Sequence, residues 1–305
     1  MKTLALLIAM AKDFALRMQK KNIAAFAAST AFFLILSLIP LLMMLSSCLP
    51  YTPVTETDLV EAVLDLTPDF ADDIIVRLID ETYQQSTAIF SISAIITIWA
   101  GALGMLALIR GLNVIYDVDE RRNYFYLRFI AALYTVAMIV IVLMMLMINV
   151  FGKLIKSVIL KAYPPLYTPI TFFMHFKFIV VILIATLAFA FIYTYVPSAR
   201  MVFIYQLPGA VFSAVVWYVF SWLFSVYVNR TNSYSIYGSL ATSVVMMFWL
   251  YTCIYIFLIG AFINRFFHPG VKVLYDDHHK KKVRANAKKK STTKPRKKRP
   301  YNEFR

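Results

Sequence analysis

The residue types that most often carry out chemistry are sparse in this 305-residue chain, and they do not cluster. Its four histidines are His175, His268, His278 and His279. None lies three or four residues from a carboxylate in a predicted membrane helix, and no zinc-type spacing, Gly-rich phosphate loop or G-x-S-x-G elbow occurs. The histidine pair in the tail follows two aspartates, but it has no rigid frame for a metal ion. We therefore predict no catalytic residues, no metal site, no cofactor and no enzymatic activity.

A stripe of small and polar residues is the best candidate for a binding face. Gly209, Ser213, Trp217 and Ser221 recur at every fourth position, which places them on one face of a helix. Close packing against a neighbouring helix is the simpler interpretation, because small residues permit it. In the alternative interpretation, the stripe lines a cavity. The predicted substrate-binding residues of that cavity are Arg200, Pro208, Gly209, Ser213, Trp217, Ser221, Tyr237 and Gly238.

Three prolines mark further candidate positions. Pro40 lies within an apolar stretch one turn after Ser37, Pro197 ends a later stretch, and Pro208 is predicted to open the next one. Because proline removes a backbone donor and kinks a helix, we predict hinges at Ser37, Pro40 and Pro197. A static kink and simple helix termination are the alternatives. If a helix begins at Pro208, its unpaired N–H groups would face an anion, with Arg200 adding a charged donor.

The apolar composition determines how these residues can be positioned. The chain is 61% apolar and 15% charged, whereas soluble domains carry about 25% charged residues. Uncharged stretches of roughly 20 residues are long enough to cross a membrane as helices. The predicted spans are about 24–48, 88–112, 127–151, 172–196, 207–228 and 238–266. We predict an all-α polytopic membrane protein, since barrel strands would alternate in polarity.

The distribution of charge predicts the orientation of this bundle. Of the 31 Lys/Arg residues, 25 fall on one side when the connections are counted along the chain. The positive-inside rule assigns that side to the cytoplasm, so both termini are predicted to be cytoplasmic. Lys153, Lys156 and Lys161 are discordant, because they fall on the opposite side. The predicted parts are an N-terminal segment (1–22), a six-span membrane domain (23–267) and a basic, disordered cytoplasmic tail (268–305).

The first outside connection, 49–87, contains nine acids against Arg77. Thr55 and Asp58 resemble a capping box, and Thr67–Pro68 is a second helix start. Apolar residues recur at helical spacing after each start, so two short amphipathic helices are predicted. Their polar faces carry acids, whereas helices that lie on a membrane usually carry Lys/Arg there. Capping of the outer end of the bundle is therefore favoured over lying on the bilayer surface.

The tail contains most of the net charge of +15. Residues 280–305 include thirteen Lys/Arg residues and the single acid Glu303. A polybasic segment beside a membrane gains about 1 kcal/mol per basic residue from anionic lipids. We predict that this segment binds anionic lipid headgroups. Contact with RNA or ribosomes is the alternative, since the same charges attract phosphates, but nucleic acid is not the expected partner.

Several phrases, in their order and spacing, resemble a known family. They are Leu36–Leu42, Gly111–Tyr116, Tyr195–Pro197, Pro208–Ala210, Tyr237–Ser239, Trp249–Tyr251 and Gly260–Ala261. Over about residues 15–267 the chain resembles the YihY / virulence-factor BrkB family of bacterial cytoplasmic-membrane proteins, once labelled ribonuclease BN. The resemblance implies six spans in the bacterial inner membrane and an unsettled activity, with transport or envelope-lipid handling suspected. Many members carry an acid directly after the Gly-Ala pair, where this chain has Phe262, so proton coupling through that acid is not carried over.

Two classes of function follow from these features. The first is a transporter or envelope-lipid-handling protein for an amphipathic or anionic substrate. The second is a non-transporting scaffold or assembly factor that recruits partners through its outer helices and tail. The bilayer is the expected partner in both, and a homo-oligomer is left open. Polar faces that converge on one cavity would favour the first class, and polar faces buried pairwise between helices would favour the second.

Overall fold

A computed structural model of the protein describes residues 12–48, 56–64, 72–83, 87–162, 177–230 and 243–267. The regular elements within these ranges are all α-helices. They are α1 (12–20), α2 (Ile23–Cys48), α3 (Glu56–Leu64), α4 (Asp72–Tyr83), α5 (Thr87–Tyr116), α6 (Tyr124–Ala162), α7 (Lys177–Tyr195), α8 (Phe203–Arg230) and α9 (Ser243–Phe267). The predicted all-α class is therefore confirmed.

Six of the described helices, α2 and α5 to α9, are long and apolar enough to cross a membrane. This confirms the predicted number of six spans, and α6 continues from the predicted end at 151 to Ala162. At about 1.5 Å per residue, its 39 residues extend about 58 Å, well beyond a hydrocarbon core of about 30 Å. The discordant lysines 153, 156 and 161 lie on this continuation, beyond the predicted end of the span at 151.

The start of α8 differs from the prediction. Helix α8 begins at Phe203, and Pro208 lies inside it instead of opening it. The apolar residues before Pro208 extend the helix backwards, and the Tyr205 amide donates to the Val202 carbonyl (3.1 Å) at its first turn. The predicted end of α7 is confirmed. Its last residue is Tyr195, the Val196 amide still bonds to the Ile192 carbonyl (3.0 Å), and Pro197 follows in a bend.

Small residues on α5 allow it to pack closely against its neighbours. Gly104 lies against α2, where an added Cβ would be 3.4 Å from the Thr30 carbonyl oxygen. Two turns further along α5, Gly111 lies against the Phe26 side chain of α2. On the other side, a Cβ at Gly101 would lie 2.5 Å from the Thr135 methyl group of α6. These positions form the α2–α5–α6 part of the bundle, and such close approach depends on glycine.

Helices α3 and α4 cap one end of the bundle, which we call the acidic end. Leu59, Val63, Ile75 and Ile79 are buried in one cluster with residues of α2 and α9, namely Leu42, Leu45 and Met246. The two helices thus bury their apolar faces on the bundle, as the capping interpretation predicts. The opposite end, formed by the connections 117–123 and 196–202, is called the basic end. The side of the membrane that each end faces stays a prediction.

Candidate functional site

The predicted stripe on α8 lies against α7 and α9. Gly209 and Gly260 face each other so closely that a Cβ on either would collide with the backbone carbonyl oxygen of the other. Both glycines are buried. Two helices can approach to this distance only where neither has a side chain, as in small-xxx-small contacts of membrane proteins. Gly209 therefore allows α8 to pack against α9.

Ser213 connects three helices one turn further along α8. Its Oγ lies 3.0 Å from the Tyr193 hydroxyl of α7 and donates to the Ile256 carbonyl of α9 (3.1 Å). The Tyr193 hydroxyl donates to the Phe257 carbonyl at 2.6 Å. Ser213 and Tyr193 are both 0% exposed, so each polar group is satisfied by a neighbouring helix. The Ser213 side chain, which the alternative interpretation placed in a cavity, thus contacts the neighbouring helices.

The last two members of the stripe also contact neighbouring side chains. Ser221 accepts a hydrogen bond from the Trp249 indole of α9 (3.2 Å). The half-buried Trp217 packs edge-on against the Phe189 ring of α7, with centroids 6.1 Å apart. The structure therefore brings all four stripe residues against α7 or α9 in pairwise contacts. By the criterion stated above, this arrangement favours packing.

Asn264 is the residue that completes this region and that sequence reasoning missed. Its Nδ2 donates to the Gln206 carbonyl (3.0 Å), and its Oδ1 accepts from the Gly209 amide (2.6 Å). The Gln206 side chain in turn accepts from the Tyr116 hydroxyl at 2.6 Å. We call Tyr116, Gln206 and Asn264 the polar relay. Gln206 and Asn264 are isolated amides in apolar stretches, and intramembrane polar residues are functional candidates by default, so this signal was present in the sequence.

The other predicted positions are more separated. Arg200 is exposed in the connection before α8, and Pro208 is exposed on α8. The Ser37 Oγ donates to the Leu34 carbonyl (2.8 Å), and α2 continues through Pro40 to Cys48. Tyr237 and Gly238 lie outside the described residues, as does the tail from 268 onward. A role of these positions as hinges or in substrate binding stays a prediction.

A network of polar residues joins the two connections at the basic end. Glu120 accepts two hydrogen bonds from the Arg122 guanidinium at 2.9 Å, and the Ser198 hydroxyl donates to it at 2.5 Å. Asn113 bonds to both, donating to Glu120 (2.9 Å) and accepting from the Ser198 amide (2.8 Å). The Arg122 hydrogen bonds lower the pKa of the Glu120 carboxyl to about 2, despite partial burial that raises it. The connections 117–123 and 196–202 are thus fixed to each other.

A second ionic group joins three helix ends beside it. The Asp117 carboxylate contacts Lys21, between α1 and α2, and accepts from Arg265 near the end of α9 (3.2 Å). Asp117 adopts a left-handed backbone conformation (φ 55°), and the Val118 amide bonds back to the Asn113 carbonyl (2.9 Å), so Asp117 terminates α5. Partial burial raises the pKa of Asp117, but hydrogen bonds and charges of Lys21 and Arg265 outweigh it and hold that pKa below its usual value.

Within the described ranges, no group of three His, Cys, Asp or Glu residues could hold a metal ion. The Gly260–Ala261 pair is followed by Phe262, which is buried. Its ring packs edge-on against Phe14 of α1, with centroids 4.9 Å apart. At this position the chain therefore makes an apolar contact that holds α1 against α9.

Six apolar helices, joined through small residues and buried amides, define a multi-pass α-helical membrane protein. The chain belongs to the family described as Virulence factor BrkB, whose model matches residues 14–285. This confirms the resemblance seen in the sequence.

Relatives in several bacteria agree with this family membership. The Bacillus subtilis (strain 168) protein YfkH, which its name calls ribonuclease-like, is 28% identical over 249 residues, covering 81% of this chain and 90% of YfkH. A UPF0761 membrane protein of Pseudoalteromonas translucida is 34% identical over 79 residues, or 26% of each chain. A UPF0761 membrane protein of Pseudomonas aeruginosa is 39% identical over 75 residues, covering 24% of this chain and 18% of its own. No solved structure matches the chain significantly.

Proposed function

We propose that this protein is a transporter or lipid-handling protein of the bacterial cytoplasmic membrane, and that its substrate is anionic and amphipathic. The observation that carries the proposal is the proline inside α8, where the helix continues from Phe203 to Arg230 but loses one backbone hydrogen bond. Pro208 has no N–H, so the Ile204 carbonyl lacks its helical donor, and Asn264 bonds to the backbone on both sides of Pro208. A proline that interrupts a hydrophobic membrane segment is a pointer to a substrate or ion site in transporters.

The surroundings of this interruption support an anionic substrate. Arg121 and Arg200 are exposed at the basic end. The start of α6 exposes the rings of Tyr124, Phe125 and Tyr126, at 56%, 78% and 56%. Aromatic rings beside basic residues are typical of the lipid headgroup level, where the cations attract anionic lipids. In this proposal, lipid headgroups gather at the basic end, and α8 and α9 move relative to each other about the Pro208 position.

A flux assay tests this proposal. The full-length protein is reconstituted in liposomes, and movement of fluorescent anionic and zwitterionic lipids and of small anions is compared with empty liposomes. Wild type should accelerate an anionic lipid, and Asn264→Ala should slow it about tenfold, as loss of one buried hydrogen-bonding side chain implies. Ile263→Ala, a change in the adjacent half-buried residue, is the matched control. If wild-type and empty liposomes behave alike for every probe, the transport proposal is wrong.

A scaffold function is the second candidate, favoured by the pairwise burial of Gly209, Ser213 and Ser221. Helices α3 and α4 would then present their exposed acids, among them Glu61 and Asp80, to a partner. Photo-crosslinking from position 80 in intact cells distinguishes the two. A discrete crosslinked partner together with no flux would favour the scaffold. Flux without a crosslinked partner would favour transport.

We propose no hydrolytic activity for this chain, although the name of YfkH is ribonuclease-like. Of the three acids in the connection 117–123, Asp117 and Glu120 are engaged with basic side chains, and hydrolysis of RNA needs several carboxylates that hold metal ions or a histidine pair. Incubation of the purified protein with labelled RNA and Mg²⁺ or Mn²⁺ should leave the RNA intact. Metal-dependent cleavage that disappears in Glu120→Gln would contradict this.

We also propose that the basic tail, 280–305, binds anionic lipid headgroups. The thirteen Lys/Arg residues of this segment support the proposal. A variant that ends at residue 268 should bind anionic vesicles more weakly than the full chain and neutral vesicles equally, and added salt should reduce the difference. Equal binding of both proteins to anionic vesicles would contradict it.

A further inference from the structure

An arginine of α6 extends along the lipid-facing surface of the bundle. The Arg128 guanidinium lies over the Trp99 ring of α5, 4.6 Å from its centroid. Trp99 is 65% exposed, so this pair lies on the outside of the bundle and not among the buried residues. Cation–π contacts of this kind hold a guanidinium in place and become stronger where water is excluded.

The contact carries the guanidinium towards the middle of the span. Trp99 lies about 25 Å along the axis of α5 from its end at Tyr116 and about 18 Å from its start at Thr87. Arg110, which is exposed, lies between Trp99 and that end and suits the headgroup level. Gly101, two residues after Trp99, lies beside Thr135 of α6. Thr135 is about 10 Å further from the basic end than Arg128, so the backbone of Trp99 is also further from that end than the backbone of Arg128. Arg128 therefore extends away from the basic end, opposite to the direction in which an arginine reaches water.

A charge at this depth needs a counter-charge. The Trp99 ring covers one face of the guanidinium but accepts none of its five N–H donors in their plane. Among the described residues, the ring is the contact that the structure gives this group. In contrast, Arg122 and Arg265 each have a carboxylate partner within 3.2 Å. A charged side chain in the hydrocarbon region is by default a candidate functional site, because its cost must be offset.

We propose that Arg128, held on the Trp99 ring, binds the phosphate of an anionic phospholipid as the headgroup passes through the middle of the membrane. The acyl chains would lie along the exposed apolar residues of α5 on the same side, Ile92, Ile95 and Ile96. A planar guanidinium matches two phosphate oxygens at once, which suits this role better than an ammonium group. The inference rests on the proposed handling of an anionic lipid and names the group that recognises it.

Native mass spectrometry of the full-length protein with phosphatidylglycerol, phosphatidylcholine or inorganic phosphate tests this site. Wild type should retain phosphatidylglycerol over phosphatidylcholine. Arg128→Gln should weaken phosphatidylglycerol binding about tenfold and leave phosphatidylcholine unchanged, because one charge-assisted contact is lost. Arg128→Lys should be intermediate. Arg110→Gln, which removes an exposed arginine of α5, is the matched control and should bind as wild type does.

Two outcomes overturn the inference. One is unchanged phosphatidylglycerol binding in Arg128→Gln, with thermal unfolding like that of wild type. The other is competition by inorganic phosphate at equal concentration, which would indicate a site for soluble anions. If Arg128→Gln does not fold, the Arg128→Lys result decides, since this variant keeps the charge.

The flux assay on the same proteins separates the two proposals. Absence of wild-type flux would contradict the proposed function and leave the binding result standing, and undiminished flux in a folded Arg128→Gln would contradict the inference alone.

Discussion

Ser213 is the residue for which the two interpretations of the α8 stripe, helix packing and a cavity lining, make different predictions. It is fully buried, and its Oγ is shared between the Tyr193 hydroxyl and the Ile256 carbonyl. A larger apolar residue there would collide with Gly260 and leave the Tyr193 side of the contact without its polar neighbour. Packing therefore makes a stability prediction, whereas a cavity would tolerate the added volume and lose binding instead.

We expect Ser213→Leu to lower the free energy of unfolding by about 2–4 kcal/mol, from overpacking and the lost hydrogen bond. Ser221→Leu, at a half-buried position, should cost less. Val215→Leu on the lipid-facing side of α8, where the side chain is 39% exposed, is the matched control and should change little. Thermal unfolding in detergent and the flux assay are measured on each protein. Stripe variants that unfold like wild type but lose flux would favour the cavity instead.

Glu120 predicts a pH dependence at the basic end. Its folded pKa of about 2 lies below the ordinary value of 4.5, because Arg122 and Ser198 stabilise the carboxylate. The resulting stabilisation is complete above about pH 4.5 and is lost as the pH falls towards 2. Glu120→Gln should lower the free energy of unfolding at pH 7 by about 1–3 kcal/mol and flatten its decline between pH 5 and 2. Asp119→Asn, a change in the exposed neighbour, is the control, and an equal effect in both would contradict the assignment to this network.

At the scale of helices, hydrophobicity predicted the membrane spans better than proline and glycine predicted the helix ends. The uncharged stretches predicted six spans, because the bilayer imposes a length that the composition reveals directly. The Pro208–Gly209 pair was misleading, since proline is common at a helix start but is also tolerated inside a membrane helix where another group satisfies the backbone. Here that group is Asn264, which lies 55 residues after Gly209. Local sequence could not reveal a partner so distant along the chain.

The same reasoning explains which parts of the candidate site the sequence predicted. The period of four placed Gly209, Ser213 and Ser221 on one face, which the structure confirms. Whether that face meets protein or a cavity depends on α7 and α9, whose rotation about their axes the sequence does not specify. The contact of Arg128 with Trp99 was not predicted either, because it depends in the same way on how α5 and α6 are rotated against each other.

Helices α3 and α4 depend on the bundle for their stability. A helix of 9 or 12 residues is marginal in water, so burial of one apolar face must stabilise it. Ile79 is 0% exposed among residues of α2, and Ile79→Ala should lower the free energy of unfolding by about 2–4 kcal/mol. Asp80→Ala, in the exposed neighbour, should change it by less than about 0.5 kcal/mol. Equal proteolysis of the two variants between residues 56 and 83 would contradict the capping role.

At the scale of the whole molecule, orientation decides how every proposed contact meets the cell. The basic end carries both ionic networks and the exposed Arg121 and Arg200, whereas α3 and α4 at the other end expose Glu61 and Asp80. The positive-inside rule assigns the basic end to the cytoplasm. Since α5 connects the two ends directly, residues at its two ends should face opposite sides of the membrane.

We expect single cysteines at Asp80 and Arg121, in a variant with Cys48 and Cys253 replaced, to react with a membrane-impermeant maleimide from opposite sides. Position 80 should be labelled in intact cells, and position 121 only after the membrane is opened, because one span separates them and the rule assigns the arginine to the cytoplasm. Both side chains are exposed, so accessibility does not limit the reaction. Each variant must first retain wild-type thermal unfolding. Labelling of position 121 alone in intact cells would invert the orientation and transfer the proposed headgroup-binding surface to the outer leaflet, and labelling of both would contradict a membrane-spanning α5.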